Sequence, residues 1–327
     1  MSQANINQNA HASVLLPEVL SVLGDDLTNK LIVDGTFGAG GYSRAFLQEG
    51  ARVVAFDRDS RVRPYVEALL RDYPDRFQWV NRCFSEMAEG LADLGYQSCD
   101  AIVLDIGVSS MQLDEAERGF SFMRDGPLDM RMGTEGRTAA DVVNTDEKDD
   151  IAHIIWLYGE EHKSRGIAAA ITRRRAERPF ERTLDLAEVV ERALGGRRGA
   201  PVHPATRTFQ ALRIAVNDEL GELERALDIA ETLLRPDGVL AVVTFHSLED
   251  RIVKNFFNDR AGKRASGSRY APQQIETKVP VYSLITPKAI QAGQAETGRN
   301  PRARSAKLRA VRRTSAPLIS KTSRSKS

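Results

Sequence analysis

Three aspartates and a cluster of glycines are the residues of this 327-residue sequence whose types and spacing could bind a nucleotide-like ligand. Asp34, Asp57 and Asp105 each follow a short apolar run. Directly after Asp34 the chain reads Gly-Thr-Phe-Gly-Ala-Gly-Gly-Tyr-Ser. Glycine tolerates positive φ and lets the backbone approach a ligand closely, and the free N–H groups of a following helix would face the same place. The pattern predicts a nucleotide-like ligand at this turn.

The segments around these aspartates predict alternating strands and helices. We expect strands over residues 31–34, 52–57, 77–81 and 101–106, with helices opening at Ser43 and over 62–70 and 86–94. Such alternation favours an α/β fold, an open, mostly parallel, doubly wound sheet. Ligands of these sheets bind beyond the carboxyl ends of the strands. The three carboxylates are therefore expected to converge on one crevice.

The alternation stops for about ninety residues. Between residues 113 and 206 the apolar spacing is helical and no strong strand is found. Further along, the apolar spacing is helical through 209–234, and the sequence then predicts a turn at 236–238 and a strand over 239–245. A helix over 248–257 with a capping box of Ser247 and Asp250, a polar loop over 261–274, and strands over 281–285 and 307–311 are expected to follow.

Three regions follow from this organisation. Residues 1–112 and 207–313 are expected to form the α/β domain, and residues 113–206 an inserted helical domain. Residues 314–327 are expected to be a basic disordered tail.

Positive charge is concentrated in two places although the net charge is only +1. Residues 163–198 carry ten Lys/Arg against five Asp/Glu, and residues 299–327 carry ten against none. Such clusters point to a polyanionic partner, with Arg173, Arg174, Arg175 and Arg178 binding phosphates. The alternative is a solvated tail and an ordinary charged helix.

Other classes of protein are disfavoured. No apolar run is long enough to span a bilayer and the polar start does not resemble a signal peptide, so a cytoplasmic protein without membrane contact is expected. The two cysteines, Cys83 and Cys99, lack metal-ligand spacing, so both are expected to be buried thiols and no metal site is predicted.

The kind of nucleotide is not settled by the glycines alone. The dinucleotide fingerprint G-x-G-x-x-G fails from Gly38, because its sixth position is Ser43. An acid at the end of the first strand, then G-x-G, then Asp57 resembles the arrangement in class I S-adenosylmethionine-dependent methyltransferases. There, Asp57 would accept hydrogen bonds from the two ribose hydroxyls, and Asp34 would lie near the methionine end. A nicotinamide cofactor would also need an acid near Asp57.

Longer motifs resemble one family, the bacterial 16S ribosomal RNA cytosine-N4-methyltransferases. They occur in one order along nearly the whole chain: DIGVSSMQLD at 105–114, ERGFSF at 117–122, PLDMRM at 127–132, HPATRTFQ at 203–210, FHSLEDR at 245–251 and NPRARS at 300–305. One departure is Tyr42, where the family usually has histidine. If the contact there is through the backbone N–H group, this change has little effect.

The resemblance implies S-adenosylmethionine as cofactor and a set of contact residues for it. These are Gly40, Gly41, Tyr42, Asp57, Phe84, Asp105 and Gln112. Phe84 could stack on the adenine or pack in the core, while Asp105 and Gln112 offer hydrogen-bonding groups at the mouth of the crevice.

The resemblance also implies a reaction, methyl transfer to the exocyclic N4 amine of a cytidine in the decoding centre of 16S rRNA. Neither cysteine lies in a Pro-Cys context that would favour attack on pyrimidine carbon 5, whereas an amine needs no protein nucleophile. Asp105 is the candidate acceptor for the amine, although Asp-Ile-Gly-Val departs from the Asp/Asn-Pro-Pro-aromatic motif of many amine methyltransferases.

The inserted domain would then present the RNA in the small ribosomal subunit. Segments 118–122 and 129–132 could enclose a flipped cytosine, or Phe120 and Phe122 could be core residues. No stable protein partner is expected. The alternatives are a ribosome-binding or assembly factor without catalysis, a methyltransferase acting on another RNA, and a nicotinamide-dependent oxidoreductase.

Overall fold

The protein is described here by a computed structural model covering residues 13–197, 199, 202–263 and 279–317. It divides into two compact units. The first unit comprises Met1–Gly107 with Glu222–Ser327, and the second comprises Val108–Gly221. The second unit is longer at both ends than the insert expected over 113–206.

One mixed sheet forms the centre of the first unit. Its parallel strands follow the order β3-β2-β1-β4-β5, and the sheet continues with β8 and β6, while β7 also pairs with β8. The strand β8 is antiparallel to β5, β6 and β7. The bounds are β1 Leu31–Asp34, β2 Arg52–Phe56, β3 Phe77–Val80, β4 Cys99–Asp105, β5 Leu234–Thr244, β6 Tyr282–Leu284, β7 Ile290–Gln291 and β8 Lys307–Arg313. The predicted doubly wound α/β fold is confirmed.

Helices cover the sheet of the first unit and build most of the second. Within the described residues they are α1 Leu16–Leu23, α2 Gly41–Gln48, α3 Arg63–Asp72, α4 Met87–Asp93, α5 Ser110–Asp114, α6 Ala139–Thr145, α7 Lys148–Gly159, α8 Ser164–Arg175, α9 Thr183–Ala193, α10 Thr206–Asn217, α11 Glu219–Leu233, α12 Ser247–Arg260 and α13 Gln294–Arg299. None of these helices is long and apolar enough to cross a membrane.

The order of the parallel strands places a switch point between β1 and β4. Chain order runs outward from β1 through β2 to β3 on one side, and the sheet then continues with β4 and β5 on the other. The central strands are almost wholly apolar because both faces are covered, and Val33, Ile102 and Val242 are fully buried. The carboxyl ends of β1 and β4 therefore lie side by side, where ligands of such sheets bind.

The second unit has a helical core, as expected from its apolar spacing. Ile151 and Ile155 of α7 and Leu186 and Val190 of α9 are all fully buried in one cluster. Helix α10 belongs to this unit because its residue Phe209 packs in the same cluster. The boundary expected at residue 206 was therefore too early.

The helical segment expected over 209–234 is confirmed, but it consists of two helices. It is divided at Asp218, whose φ of 49° ends α10 before α11 begins at Glu219. A Cβ atom at Gly221 would lie 2.4 Å from Asp218 Oδ1, so the glycine makes room for this carboxylate. Apolar periodicity continues across the break, and for that reason the sequence pattern did not reveal it. Residues 236–238, where a turn was expected, lie within β5 at a register shift between β4 and β5, and Pro236 and Asp237 are exposed.

The capping box expected from Ser247 and Asp250 is also wrong. Helix α12 begins one residue earlier than predicted, with His246 as its N-cap. The His246 side chain accepts the Glu249 N–H, and Glu249 Oε2 accepts the His246 N–H at 3.2 Å. The i to i+3 spacing of a capping box is thus kept, but the pair is shifted along the chain by one residue.

The carboxyl-terminal region contains more ordered structure than predicted. Strand β7 and helix α13 were not expected from the sequence. Disorder from Thr314 onward is wrong for its first residues, because the Thr314 N–H donates to Val281 O at 2.9 Å and Ala316 is buried. Residues 318–327, and residues 264–274 of the predicted polar loop, lie outside the described residues.

Candidate active site

The glycine turn between β1 and α2 has a backbone that requires glycine. Gly38 and Gly40 have φ values of 53° and 78°, in the left-handed region. A Cβ atom at Gly40 would lie 2.8 Å from the Phe37 ring. The turn ends at Gly41, the first residue of α2. The backbone N–H groups of the first turn of this helix have no partner within the helix. These groups can bind a ligand.

Asp34 supports this turn from the buried side. Its Oδ2 atom accepts the Ser43 hydroxyl at 2.6 Å, and its Oδ1 atom accepts the Thr36 N–H at 3.2 Å. The side chain is fully buried, and burial raises the pKa of the carboxyl to about 6. The carboxylate thus supports the loop from inside, and the expected place of Asp34 near the methionine end of the cofactor stays a prediction.

The raised pKa of Asp34 leads to a prediction about stability. A carboxyl whose pKa is higher in the folded chain than in the unfolded chain favours folding at low pH, and that contribution is lost as pH rises from about 4 through about 6. Asp34→Asn does not titrate, so the free energy of unfolding of this variant, relative to that of the wild type, should rise by about 1 to 2 kcal/mol between pH 5 and pH 8. Urea unfolding of both proteins at the two pH values measures this gain, and a difference that does not change with pH would contradict it.

Asp57 lies at the end of β2 with its carboxylate oriented by the glycine turn. Oδ2 accepts the Gly38 N–H and Oδ1 accepts the Asp59 N–H, both at 2.8 Å. Burial raises the pKa of this carboxyl to about 6. Each carboxylate oxygen has two lone pairs, so one acceptor site per oxygen remains for a ligand hydroxyl. The side chain is partly exposed and can be reached.

Asp105 ends β4 beside the same turn. Its backbone N–H donates to Thr36 Oγ1 at 2.7 Å, which ties the end of β4 to the residue that follows Gly35. Its Oδ1 atom is buried and has no hydrogen-bond partner among the described residues. Burial, and then the charges of Asp34 and Glu249, raise the pKa of this carboxyl well above its usual range. Asp105 thus offers an unused acceptor with a high proton affinity.

Phe84 follows β3 and lies against the start of the turn. A Cβ atom at Gly35 would be 3.2 Å from Phe84 Cβ. The ring packs on the core cluster but is only partly buried, so part of its surface remains accessible. Stacking on an adenine stays a prediction.

The two cysteines differ. Cys99 is fully buried, as expected, whereas the expectation that Cys83 is buried is wrong, because it is partly exposed beside Arg58.

Tyr42 lies in the first turn of α2 with its side chain directed into the core. Its hydroxyl donates to the carbonyl of Val14, and its ring stacks on Phe46 with centroids 6.1 Å apart. What the helix start offers to a ligand at this position is the backbone N–H group. The change from histidine to tyrosine therefore affects packing against Val14, and a ligand contact through the backbone is compatible with it.

Gln112 is in the second unit, where it forms a capping box. Gln112 Oε1 accepts the Ser109 N–H at 3.0 Å, and Ser109 Oγ accepts the Gln112 N–H at 3.2 Å. The amide oxygen is thus used by the N-cap of α5, and the predicted cofactor contact of Gln112 stays a prediction.

The first unit therefore brings together six of the seven predicted cofactor residues. Hydrogen bonds or close packing join the turn that contains Gly35 and Gly38 to Asp57, Asp105 and Phe84, and Gly40, Gly41 and Tyr42 lie in or directly after this turn. Sequence analysis did not assign Thr36 or Glu249 to the site, and it gave His246 no role although this residue follows a strand end, where ligands bind. Within the described residues, no group of His, Cys, Asp and Glu could hold a metal ion.

Most of the arginines expected to bind phosphates have structural partners. Arg174 Nη2 lies 2.5 Å from Asp185 Oδ2, and Arg175 donates to the carbonyls of Val143 and Asp146 at 2.9 and 2.7 Å. A phosphate-binding role for these two is therefore wrong. Arg173 is exposed, and Arg178 is largely exposed although it lies 3.5 Å from the same Asp185 carboxylate.

Part of the carboxyl-terminal basic cluster is likewise engaged. Arg309 Nε lies 2.7 Å from Asp250 Oδ1, and Lys307 Nζ lies 3.1 Å from Asp250 Oδ2. The positive charge of β8 is thus partly neutralised by a carboxylate of α12.

The aromatic residues expected to enclose a base belong mainly to the core of the second unit. Phe120 is buried below the Arg118 guanidinium, and Phe122 lies against His203 and Phe209 with ring centroids 4.6 and 4.7 Å away. Arg118 donates to the carbonyls of Arg131 and Met132. The core interpretation is therefore the correct one for these two rings.

The arginine contacts predict opposite effects for two neighbouring substitutions. Arg175→Gln removes charged hydrogen bonds to two carbonyls and should lower the free energy of unfolding by about 2 kcal/mol. Arg173→Gln, at an exposed position, should leave the melting temperature unchanged and weaken RNA binding a few-fold. Thermal unfolding and RNA binding at two salt concentrations separate the effects; equal melting temperatures would contradict the assignment.

Comparison with known proteins places the chain in a family. A family profile described as the MraW methylase family matches residues 8–314. A protein of Caulobacter vibrioides named ribosomal RNA small subunit methyltransferase H is 62% identical over 94% of this chain and 97% of its own length. Proteins of the same name from Caulobacter sp. strain K31 and Rhodospirillum rubrum are 58% and 53% identical, over 96% and 94% of this chain and 96% and 95% of their own lengths. The chain belongs to the MraW methylase family and uses S-adenosylmethionine as its cofactor.

Proposed function

We propose that this protein transfers the methyl group of S-adenosylmethionine to the exocyclic N4 amine of a cytidine in the decoding centre of 16S rRNA. The observation that carries the choice of an amine is the unused, buried acceptor of Asp105 beside the glycine turn. The RNA substrate is supported by relatives that are named for methylation of the small-subunit ribosomal RNA.

The residues of the first unit fit the cofactor chemically. The ribose carries two adjacent hydroxyls, which match the two remaining acceptor sites on the Asp57 carboxylate. The backbone of Gly40, Gly41 and Tyr42 would run along the methionine and ribose part, and Phe84 would lie against the adenine. Asp105 would lie near the cationic end, where a positive charge favours ionisation of its carboxyl, and Gln112 is proposed as a further contact.

Bound cofactor supplies an electrophilic methyl group on a sulfonium, so the protein has to present the amine. Asp105 would accept a hydrogen bond from one N4–H, which orients the nitrogen towards the methyl group. Because the N4 lone pair is delocalised into the ring, this orientation is the main requirement, and holding two reactants in line can lower a barrier by roughly 7 to 11 kcal/mol. When its carboxyl is ionised beside the cationic sulfonium, Asp105 could also receive the proton that the nitrogen releases.

The cysteines support an amine as the target rather than a ring carbon. Methylation of pyrimidine carbon 5 needs a thiolate that attacks the ring. Burial raises the pKa of both Cys83 and Cys99, which keeps them as thiols, and Cys99 is fully buried in the first unit. Neither cysteine is suited to be that nucleophile.

The second unit is proposed to bind the RNA, with exposed Arg173 and Arg178 as phosphate contacts. Such contacts would contribute affinity that falls with salt concentration, and they would not specify sequence. The protein would act on the small subunit in the cytoplasm.

Loss of one modified nucleoside from cells tests this function. A strain without the gene should contain 16S rRNA that lacks N4-methylation at one cytidine, as measured by nuclease digestion and mass spectrometry, and the wild-type gene should restore it. Restoration at the wild-type rate by an Asp105→Ala gene would contradict the role of Asp105 in the transfer. Loss of a different modified nucleoside would keep a methyltransferase and overturn the target.

A further inference from the structure

Three buried polar atoms near the carboxyl ends of β4 and β5 have no hydrogen-bond partner among the described residues. They are Asp105 Oδ1, His246 Nε2 and Glu249 Oε1. Asp105 is in register with Val243 on the neighbouring parallel strand, and the Ile106 N–H donates to Val243 O at 2.9 Å. The chain that leaves β5 therefore carries His246 alongside the segment that follows Asp105. Unpaired polar atoms in a buried place are unfavourable unless a ligand satisfies them.

The hydrogen bonds around His246 determine which of its ring nitrogens carries a proton. Nδ1 accepts the Glu249 N–H at 3.5 Å as the N-cap of α12. In a neutral imidazole the proton is then on Nε2, which makes Nε2 a donor. Nε2 lies in buried contact with Glu249 Oε1, 2.8 Å away, but outside hydrogen-bonding geometry, so its N–H makes no hydrogen bond to this carboxylate.

Glu249 fixes this arrangement. Its Oε2 atom accepts the N–H groups of Phe245 and His246 at 2.8 and 3.2 Å, and its side chain is fully buried. The turn between β5 and α12 is thereby held, and the imidazole, which is 12% exposed, is held with it. The position of the His246 donor is therefore set before any ligand binds.

The Asp105 acceptor and the His246 donor, which follow neighbouring strands, match the hydrogen-bonding edge of cytosine. Cytosine presents the N4–H donor next to the N3 acceptor, whereas uracil presents an acceptor and then a donor. On the basis of the proposed function, we propose that His246 Nε2–H donates a hydrogen bond to N3 of the target cytosine while Asp105 accepts from N4. His246 is then the residue that makes the site specific for cytosine, because uracil would place a donor against a donor.

The test replaces His246 in the protein and N3 of the target base in the RNA, each alone and both together. The substrate is a small ribosomal subunit reconstituted with 16S rRNA that has cytidine or 3-deazacytidine at the target, since the deaza base has C–H in place of N3. Wild-type protein should methylate the deaza subunit about 10- to 100-fold more slowly than the cytidine subunit. His246→Ser keeps a good N-cap residue but no donor that reaches the base. It should methylate the cytidine subunit about 10- to 100-fold more slowly than wild type and show little further loss with the deaza base.

The ratio of the two rates is unaffected by the fraction of a variant that is folded, so a loss of stability would not obscure the result. His162→Ser, at an exposed histidine, should behave as the wild type. If His246→Ser loses the same factor with the deaza base as the wild type, His246 does not contact N3 and the inference is overturned. If the wild type forms no N4-methylcytidine on the cytidine subunit, the proposed function fails instead.

Discussion

Asp105→Ala is expected to lower kcat for methyl transfer by about 10³-fold, while the melting temperature of the variant rises. The loss follows from removal of the acceptor that orients the N4 amine. The gain follows because burial and the charges of Asp34 and Glu249 oppose ionisation of this carboxyl in the folded chain. Single-turnover methyl transfer and thermal unfolding without cofactor measure the two effects.

A second substitution separates orientation from charge. Asp105→Asn keeps an amide oxygen that can accept from the amine but cannot receive its proton at neutral pH, so its kcat should lie between those of the alanine variant and the wild type. Both variants keep the backbone hydrogen bond to Thr36. A fall in melting temperature together with unchanged kcat would identify Asp105 as a structural residue.

Asp57→Ala is expected to weaken S-adenosylmethionine binding by about 100-fold, because two charge-assisted hydrogen bonds to the ribose are lost. The variant also frees the Gly38 N–H group that the carboxylate accepts, so the glycine turn loses a support. RNA binding by the second unit should be unchanged. Isothermal titration with the cofactor and a separate RNA-binding assay give the two affinities.

Asp75→Ala is the matched control, since this aspartate is exposed and precedes the next strand. It should bind cofactor as the wild type does. Equal losses of cofactor and RNA affinity in Asp57→Ala would contradict the assignment of cofactor to one unit and RNA to the other.

The strands and their terminal acids could be predicted because a parallel strand covered on both faces has a simple signature. Apolar runs at Ile32, Val54 and Val103 are continuous, and an acid ends each of them. The break at Asp218 had no such signature, because the apolar spacing of α10 continues into α11. The cap of α12 was missed since the helix start cannot be fixed to one residue from spacing alone.

The candidate site was predictable where its residues are close in sequence or lie at strand ends. Asp57 is held by Gly38, which the glycine pattern had already placed beside it. The functions of Arg174 and Arg175 were not predictable, because their partners Asp185 and Val143 are 11 and 32 residues away. A run of arginines has the same sequence signature whether the side chains bind phosphates or neighbouring helices.

Transfer of labelled methyl from S-adenosylmethionine by the purified protein to small ribosomal subunits from a strain that lacks it tests the central claim most directly. Digestion to nucleosides and mass spectrometry should find the label in N4-methylcytidine from one position of 16S rRNA, and Asp105→Ala should transfer it about 10³-fold more slowly. Label in another nucleoside, or no label although the cofactor binds, would contradict the claim that this site methylates a cytosine amine.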